Sequence, residues 1–254
     1  MSKLNCENIT KIYGDKYDQV NTKALNGISF QVEEGEFIAI MGPSGSGKTT
    51  LLNLLSGIDK ASSGKITINN KNISEMSKNE LALFRREELG FVFQDYNLLD
   101  NLTLSENIIV PLVLEKKTPE EIDSRLIRVM ELFGIYELSR KYPYNISGGE
   151  QQRIAIARAV INEPSIIFAD EPTGNLDSKN SKNIMKCFSK MNEELNSTIL
   201  MVTHDPIAAS YAKKIIFIKD GKLHSEIINK GNRREFLNSI FNCLVVLGGE
   251  GYDF

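Results

Sequence analysis

The segment FIAIMGPSGSGKTT, residues 37–50, decides the fold of this chain. Phe37 to Met41 is an uninterrupted apolar run, which is typical of a buried strand. Gly42 to Thr49 fits the pattern G-x-x-x-x-G-K-[ST], in which glycines let backbone N–H groups curl around phosphate oxygens. Thr49 to Ser56 carries leucines at helical spacing, so the helix N-terminus adds its partial positive charge to the same site. The segment therefore predicts a strand, a phosphate-binding loop and a helix.

Two side chains of the loop extend this prediction. Lys48 is placed to reach terminal phosphates, and the Thr49 hydroxyl is placed to ligate Mg²⁺. A phosphate loop alone is compatible with kinases, GTPases and ATPases. The second half of the chain narrows the choice.

Two later strands end in polar residues suited to phosphate chemistry. The apolar run Ser165 to Ala169 ends in Asp170-Glu171, which would put one carboxylate beside Mg²⁺ and a second where it can polarise water. Thr198 to Val202 is followed by His204, which can hydrogen-bond a γ-phosphate. The alternatives are an acidic pair that only closes a strand and a histidine with a structural role.

A second glycine-containing segment, Ile146 to Arg153 with the sequence ISGGEQQR, runs directly into a predicted helix. A serine and two glycines at a helix N-terminus form another anion site. One chain would then carry two phosphate-binding loops for one ATP. A rotationally symmetric dimer accounts for the second loop, because the serine loop of one copy can cap the nucleotide bound by the other.

The order of elements predicts an α/β protein. The first third is mainly strands, and Asn69-Asn70 resembles a hairpin turn. Residues 98–161 are predicted to be mainly helical and to form an inserted lobe. From Ser165 onward strands and helices alternate, which favours a parallel sheet covered by helices. A closing helix is predicted for Glu235 to Leu247.

Composition excludes several classes of protein. The chain has 254 residues and a formal net charge of −3, so a broad basic surface for nucleic acid is not expected. Its longest apolar stretches are far shorter than the roughly 20 residues of a membrane-crossing helix. Met1 to Gly14 lacks the features of a secretory signal, so we expect a cytoplasmic location. Cys6, Cys187 and Cys243 are widely spaced and predict neither a disulfide framework nor a zinc site.

The motifs together resemble the ATP-binding cassette family in content, order and spacing, over roughly residues 1–228. Walker A is Gly42 to Thr49, the Q-loop residue is Gln94, and the signature is ISGGEQQR; Walker B, the D-loop and the H-loop follow at Ser165 to Glu171, Asn175 to Asp177 and His204. The resemblance implies a P-loop ATPase with a mostly parallel RecA-like core sheet, an antiparallel β subdomain and an inserted helical subdomain at about 98–161. Residues 229–254 would form a C-terminal helical extension. The signature departs from the commonest LSGGQ at Ile146 and Glu150.

The resemblance also implies roles for individual residues. Glu171 would polarise water, His204 would hold the γ-phosphate, and Lys48 and Gln94 would complete the catalytic set. Thr49, Gln94 and Asp170 would ligate Mg²⁺. Nucleotide contacts are implied for Tyr13, which would stack on adenine, and for Gly42, Pro43, Ser44, Gly45, Ser46, Gly47, Lys48, Thr49, Thr50, Ser147, Gly148, Gly149 and Asp177. An ordinary strand-end aromatic is the alternative for Tyr13.

The partners follow from the same resemblance. Two copies would close around ATP, with Ser147 and Gly149 supplied by the opposite subunit and Asp177 bridging the two sites. A separate membrane permease would dock near Gln94 to Thr103, where Leu98 and Leu99 fit a docking groove or, alternatively, the core. The chain would then be peripheral on the inner face of the cell membrane.

Two features point to a branch of the family. Phe168 to Asp177, together with SGGEQQR, looks like the branch serving lipoprotein release, macrolide efflux and antimicrobial-peptide resistance. The tail from Arg233 to Phe254, with Val245 to Gly249 near its end, resembles the bacitracin-resistance type; an accessory helix that packs on the core is the alternative. In such systems a sensor histidine kinase, reached through the permease, is a further candidate partner.

Non-transport cassettes are the rival class. A cassette acting on chromosomes would separate its motifs by a long coiled coil, whereas only about a hundred residues lie between Thr49 and Ser147 and they lack sustained heptads. A translation factor of the superfamily would carry two cassettes. A regulator of a cell-division complex that hardly hydrolyses ATP remains, and the intact Lys48, Ser147 and Glu171 weigh against it.

Overall fold

The computed structural model describes residues 2–14 and 21–248, and these fall into two compact units. Residues 2–14, 21–81 and 198–248 belong to the first unit, and residues 82–197 to the second. The elements in chain order are β1 Ser2–Tyr13, β2 Thr22–Glu33, β3 Phe37–Met41, α1 Lys48–Leu55, β4 Ser63–Ile68, β5 Lys71–Asn72, α2 Lys78–Glu88, β6 Leu89–Val92, α3 Leu104–Leu114, α4 Pro119–Leu132, α5 Gly148–Val160, β7 Ile166–Asp170, α6 Ser178–Glu194, β8 Ile199–Val202, α7 Pro206–Ala209, β9 Lys214–Lys219, β10 Lys222–Ile228 and α8 Arg233–Gly248.

The first unit contains an antiparallel sheet with the strand order β2-β1-β4-β5. Strand β1 pairs with both β2 and β4, and its residues Leu4, Cys6 and Ile9 are buried. The predicted hairpin between β4 and β5 is confirmed. Asn69 and Asn70 both have positive φ, as residues of a tight hairpin turn do.

Parallel strands form the second sheet region of the first unit. Strand β3 lies between β8 and β9 and pairs in parallel with both, while β10 pairs antiparallel with β9. All five residues of β3 are buried, which explains why its sequence is continuously apolar rather than alternating. The phosphate loop leaves the carboxyl end of β3, the edge where α/β sheets bind ligands.

The second unit joins a pair of parallel strands, β6 and β7, to helices α3 to α6. Three α-helices, α3, α4 and α5, lie within residues 98–161, as predicted. Helix α5 packs against α3, α6 and β6. The approach to β6 is close, because a Cβ atom on Gly90 would lie 2.4 Å from the carbonyl oxygen of Ala159.

Helix α8 lies in the first unit and buries one face, made of Phe236, Ile240, Leu244 and Leu247. It corresponds to the predicted closing helix. Residues 249–254 of the predicted C-terminal extension, and Met1 of the N-terminal segment, lie outside the described residues. None of the helices in the described part of the chain is long and apolar enough to cross a bilayer. All three cysteines are free thiols.

Candidate functional site

The phosphate loop of the first unit ends at a helix whose first turn lacks a side-chain cap. Gly47 is the N-cap of α1, with φ 99°, and no side chain caps the helix there. Helices α3, α4, α5 and α6 all have side-chain caps. Among the described residues, no side chain therefore occupies the start of α1, and an anion is the ligand that a helix N-terminus favours.

Both the backbone conformation at position 47 and the space around it require glycine. Its φ lies in the left-handed region, and an added Cβ would be 2.7 Å from the carbonyl oxygen of Ala24. Ser46, next to it, is 4% exposed, and its hydroxyl has no hydrogen-bond partner among the described residues. An unpaired buried hydroxyl is costly, and a phosphate oxygen would satisfy it.

The side chain of Lys48 folds back over the phosphate loop. Its Nζ donates to the carbonyl oxygens of Gly42 and Pro43, at 2.9 Å in each case. A hydrogen bond from an ammonium group to a phosphate is stronger than one to a neutral carbonyl. The side chain can therefore exchange these carbonyls for the phosphates of a nucleotide.

Tyr13 closes strand β1 and is 43% exposed. Its hydroxyl donates to Oδ2 of Asp59 at 2.9 Å and also has a hydrogen bond with the side chain of Thr50, a predicted nucleotide contact. Partial desolvation is the main reason why the pKa of Tyr13 is raised, so the phenol stays protonated and neutral. An exposed, anchored ring is physically suited to stacking on a purine.

His204 follows β8 in the same unit and is exposed. The residues on either side of it are fixed. The N–H of Thr203 donates to the carbonyl oxygen of Ile40 at 3.2 Å, and the N–H of Asp205 donates to the Thr203 hydroxyl at 3.0 Å. Asp205 then caps the short helix α7. The histidine is thus presented from an ordered strand end.

The acidic pair of the second unit lies at the end of β7. Asp170 is the last residue of the strand, and Glu171 follows it with φ 45°. A non-glycine residue in this left-handed region is uncommon, and such conformations cluster at functional sites. The N–H of Gly174 donates to the carbonyl oxygen of Glu171 at 2.9 Å and closes the turn. The turn therefore holds Glu171 in a left-handed backbone conformation that a glutamate rarely adopts.

An amide clasp joins the segment after β6 to the segment after β7. Nε2 of Gln94 donates to Oδ1 of Asn175 at 3.0 Å. Nδ2 of Asn175 donates in return to the Gln94 carbonyl oxygen at 3.2 Å and to Oδ1 of Asp95 at 2.9 Å. Gln152 of α5, fully buried, donates to the carbonyl oxygens of Phe93 and Pro172. The sequence places Asn175 in the D-loop and Gln152 in the signature but does not predict these contacts, because an amide side chain becomes informative only when its partners are known.

Arg158 of α5 holds the turn that follows Gln94. Its guanidinium donates to the carbonyl oxygens of Tyr96 and Asn97, at 2.7 and 2.6 Å. Both turn residues have positive φ, at 59° and 51°. Desolvation lowers the pKa of Arg158, which reflects how far the guanidinium is taken out of water. The helix that begins with the SGG segment thus also fixes the backbone next to Gln94.

Ser147 is the N-cap of α5 and forms a reciprocal capping box with Glu150. The Ser147 hydroxyl donates to Oε2 of Glu150 at 2.6 Å, the Ser147 N–H donates to the same oxygen at 2.9 Å, and the Glu150 N–H donates to the hydroxyl at 3.4 Å. The hydrogen bonds with Ser147 lower the pKa of Glu150 and keep it ionised. A phosphate that reaches this helix end must therefore share Ser147 with Glu150.

Asp177 is the N-cap of α6. Its Oδ1 accepts from the N–H groups of Lys179 and Asn180 at 2.9 Å, and its Oδ2 accepts from Nδ2 of Asn180 at 2.7 Å. The hydrogen bonds with Asn180 lower the pKa of this carboxyl. The described contacts give Asp177 a capping role, and its bridging role stays a prediction.

The predicted site residues fall into two sets. The first unit holds Tyr13, the loop Gly42–Thr50 and His204, and joins Tyr13 to Thr50. The second unit holds Asp170, Glu171, Asp177, the SGG segment and Gln94, which it joins to the segment after Glu171 through Asn175. A family model described as ABC transporter matches residues 25–174, which include both the phosphate loop and the acidic pair. The chain belongs to the ABC transporter family.

Two relatives show how far the likeness extends. This ABC protein is 52% identical over 250 residues to the ABC transporter ATP-binding protein YxdL of Bacillus subtilis (strain 168), and the match covers 98% of this chain and 96% of that protein. It is 50% identical over 251 residues to the bacitracin export ATP-binding protein BceA of Halalkalibacterium halodurans, covering 98% of each.

A solved structure supports the fold and the reaction. The ATP-binding cassette MJ0796 of Methanocaldococcus jannaschii, a dimer in a post-hydrolysis state bound to ADP and Pi, matches with a TM-score of 0.80 and 39% identity, over 90% of this chain and 100% of that one. The predicted fold class, a P-loop ABC ATPase, is confirmed. The chain is an ABC-type ATPase, as its sequence indicated.

Proposed function

We propose that this ATPase pairs with a second copy of itself around ATP and drives a separate membrane permease that exports bacitracin-type antimicrobial peptides. The observation that carries the substrate class is the 50% identity to the bacitracin export protein, which extends over 98% of both chains. The alignment thus includes the region beyond the family model, which ends at residue 174.

The residues of the phosphate loop suit the triphosphate. The start of α1, which has no side-chain cap, the buried Ser46 hydroxyl and the Lys48 ammonium supply donors and positive charge. Thr49, Asp170 and Gln94 offer a hydroxyl, a carboxylate and an amide oxygen, the hard donors that Mg²⁺ prefers. Bound Mg²⁺ would neutralise charge on the phosphates. These donor types fit the metal.

Hydrolysis requires a residue that directs water to the γ-phosphate. We assign this role to Glu171, whose left-handed backbone is held by the Gly174 hydrogen bond. His204, exposed at a strand end, would donate to the γ-phosphate and hold it during attack. Gln94 would sense the γ-phosphate through the amide that now contacts Asn175.

Pairing of two copies would complete the site. The cassette MJ0796 is described as dimeric with ADP and Pi, which supports a paired arrangement for a relative of this similarity. In a pair related by a two-fold axis, Ser147 and Gly149 of one copy would approach the phosphates held by the loop of the other. Asp177 would lie near the contact between copies.

The permease would dock on residues 94–103. Leu99 is 47% exposed and Leu98 is half-buried, so an apolar side chain is available on this segment. Docking would hold the chain against the inner face of the cell membrane, where ATP is available. A sensor histidine kinase would be reached through the permease rather than through this chain.

The test is ATP hydrolysis by the chain co-purified with its membrane subunit and placed in lipid. Bacitracin is expected to stimulate phosphate release, whereas a macrolide and a lipoprotein are expected to leave it unchanged. Glu171→Gln should abolish the stimulation while the complex stays intact. If only the macrolide stimulates phosphate release, the complex serves macrolide efflux instead. If the chain hydrolyses ATP rapidly and the membrane subunit does not change the rate, the proposed transport role is wrong.

A further inference from the structure

The side chains of Lys11, Tyr13 and Asp59 form a cluster within the first unit. Nζ of Lys11 lies 2.7 Å from Oδ1 of Asp59 and 4.7 Å from the centroid of the Tyr13 ring. The Tyr13 hydroxyl donates to the other oxygen of the same carboxylate, at 2.9 Å. Asp59 therefore holds the cation with one oxygen and the phenol with the other.

The cluster fixes the ring and covers one of its faces. The Lys11 ammonium lies over the ring and also donates to the carbonyl oxygen of Lys60 at 2.8 Å, so it is held independently of the aromatic group. The side chain of Lys11 is only 12% exposed. Tyr13 as a whole is 43% exposed. Since the ammonium lies over one face of the ring, a flat ligand would have to stack on the opposite face.

The carboxylate of the cluster is attached to the helix that carries the phosphate loop. The N–H groups of Ile58 and Asp59 donate to the carbonyl oxygen of Asn53 in α1, at 2.9 and 3.0 Å. The phenol of Tyr13 also has a hydrogen bond with Thr50 in the first turn of this helix. Eight residues of α-helix span about 12 Å. One short rigid element therefore positions both the phosphate cradle and the aromatic ring.

We propose that Lys11 and Asp59 are positioning residues for the base: they orient Tyr13, and the Lys11 cation strengthens stacking of adenine on the far face of the ring. This inference rests on the proposed placement of adenine on Tyr13. The faces of two aromatic rings are both electron-rich and repel when stacked directly. A cation behind one ring is attracted to its π electrons and offsets that repulsion. Asp59 binds both groups and so keeps the cation positioned over the ring.

The experiment compares a ligand that has a base with one that has none. Binding of ATP and of inorganic tripolyphosphate, each with Mg²⁺, is measured by titration calorimetry on the full chain. Lys11→Met keeps the aliphatic stem and removes the charge, and Lys11→Arg restores a cation. Lys65→Met is the matched control, because Lys65 is an exposed lysine of the neighbouring strand β4. Tyr13→Ala tests the base platform itself.

Lys11→Met is expected to weaken ATP binding by roughly two- to fivefold, and Asp59→Asn by a similar factor. Tripolyphosphate binding should be unchanged in both variants, and Lys11→Arg should bind ATP nearly as the wild type does. Equal losses for the two ligands, or no loss for ATP, would overturn the inference.

Tyr13→Ala separates this result from the proposed function. If Tyr13→Ala weakens ATP roughly tenfold and spares tripolyphosphate while Lys11→Met changes neither, only the roles of Lys11 and Asp59 fail. If Tyr13→Ala leaves ATP binding intact, the adenine platform fails as well.

Discussion

Ser147 is an N-cap in the structure and a phosphate contact in the proposed function, and substitution can separate the two roles. As the N-cap of α5 it stabilises the fold, and as a hydroxyl donor it is proposed to contact the γ-phosphate bound by a second copy. Replacing an N-cap serine by alanine costs about 1 kcal/mol, whereas glycine costs only a few tenths. Both changes remove the same hydroxyl. The Ser147 N–H keeps its 2.9 Å bond to Glu150 in either variant, so the alanine cost should stay near this value rather than at the upper end.

We therefore expect Ser147→Ala to lower the melting temperature by about 2–4 °C, and Ser147→Gly to lower it by less. Turnover should fall about 10- to 100-fold in both variants, the range for losing a hydrogen bond to a charged group. Ser147→Thr keeps the hydroxyl and the cap and serves as the control. The melting temperature is measured by thermal unfolding, turnover by phosphate release, and pairing by size-exclusion chromatography with ATP. If Ser147→Gly has nearly wild-type turnover while Ser147→Ala loses turnover, then turnover follows stability. Ser147 would in that case act through the fold and not on phosphate.

Three further predictions concern other residues. Glu171→Gln should bind ATP, lose turnover and accumulate as a nucleotide-dependent dimer, seen by chromatography; hydrolysis near the wild-type rate would remove Glu171 from its assigned role. Gly47→Ala should lower the free energy of unfolding more than Gly45→Ala, because both place alanine at positive φ but only at Gly47 does the new Cβ meet a backbone oxygen, that of Ala24 at 2.7 Å; equal losses in urea unfolding would contradict this. The folded-state pKa of Asp177 is lowered, so its contribution to stability is present above its unfolded value of about 3.9 and is lost as the pH falls through the folded value. Asp177→Asn lacks the charge and the oxygen that accepts from Nδ2 of Asn180, so it should be less stable than the wild type at pH 7 and should lose less stability on acidification in urea unfolding; parallel profiles of stability against pH would refute the assignment.

The strands and helices that carry the candidate site could be predicted because their signals are local. The run Phe37 to Met41 is buried throughout. A loop that binds phosphate through backbone groups requires glycines, and the loop after this strand has that glycine pattern. Asp170 and His204 could be located in the same way, as polar residues that end apolar strands. The capping box of Ser147 and Glu150 was not predicted, although it spans only one helical turn.

Other elements left weaker signals. Helix α2 was not predicted, because only Leu81 and Phe84 are buried among its charged residues. Strand β6 was missed because it has four residues and includes Gly90, which is there to admit the backbone of α5. Long-range contacts could not be predicted from the sequence either. The clasp between Gln94 and Asn175, for example, joins residues 81 positions apart.

Arg158 holds its turn by carbonyl oxygens alone, and every amino acid supplies a carbonyl oxygen. Substituting the outward side chains of the segment from Asn97 to Leu99 would leave those two hydrogen bonds in place. The backbone conformation of the segment therefore does not depend on which side chains the segment carries. If a permease docks on this segment as proposed, the contact surface can be changed by substitution while the backbone next to Gln94 keeps its conformation.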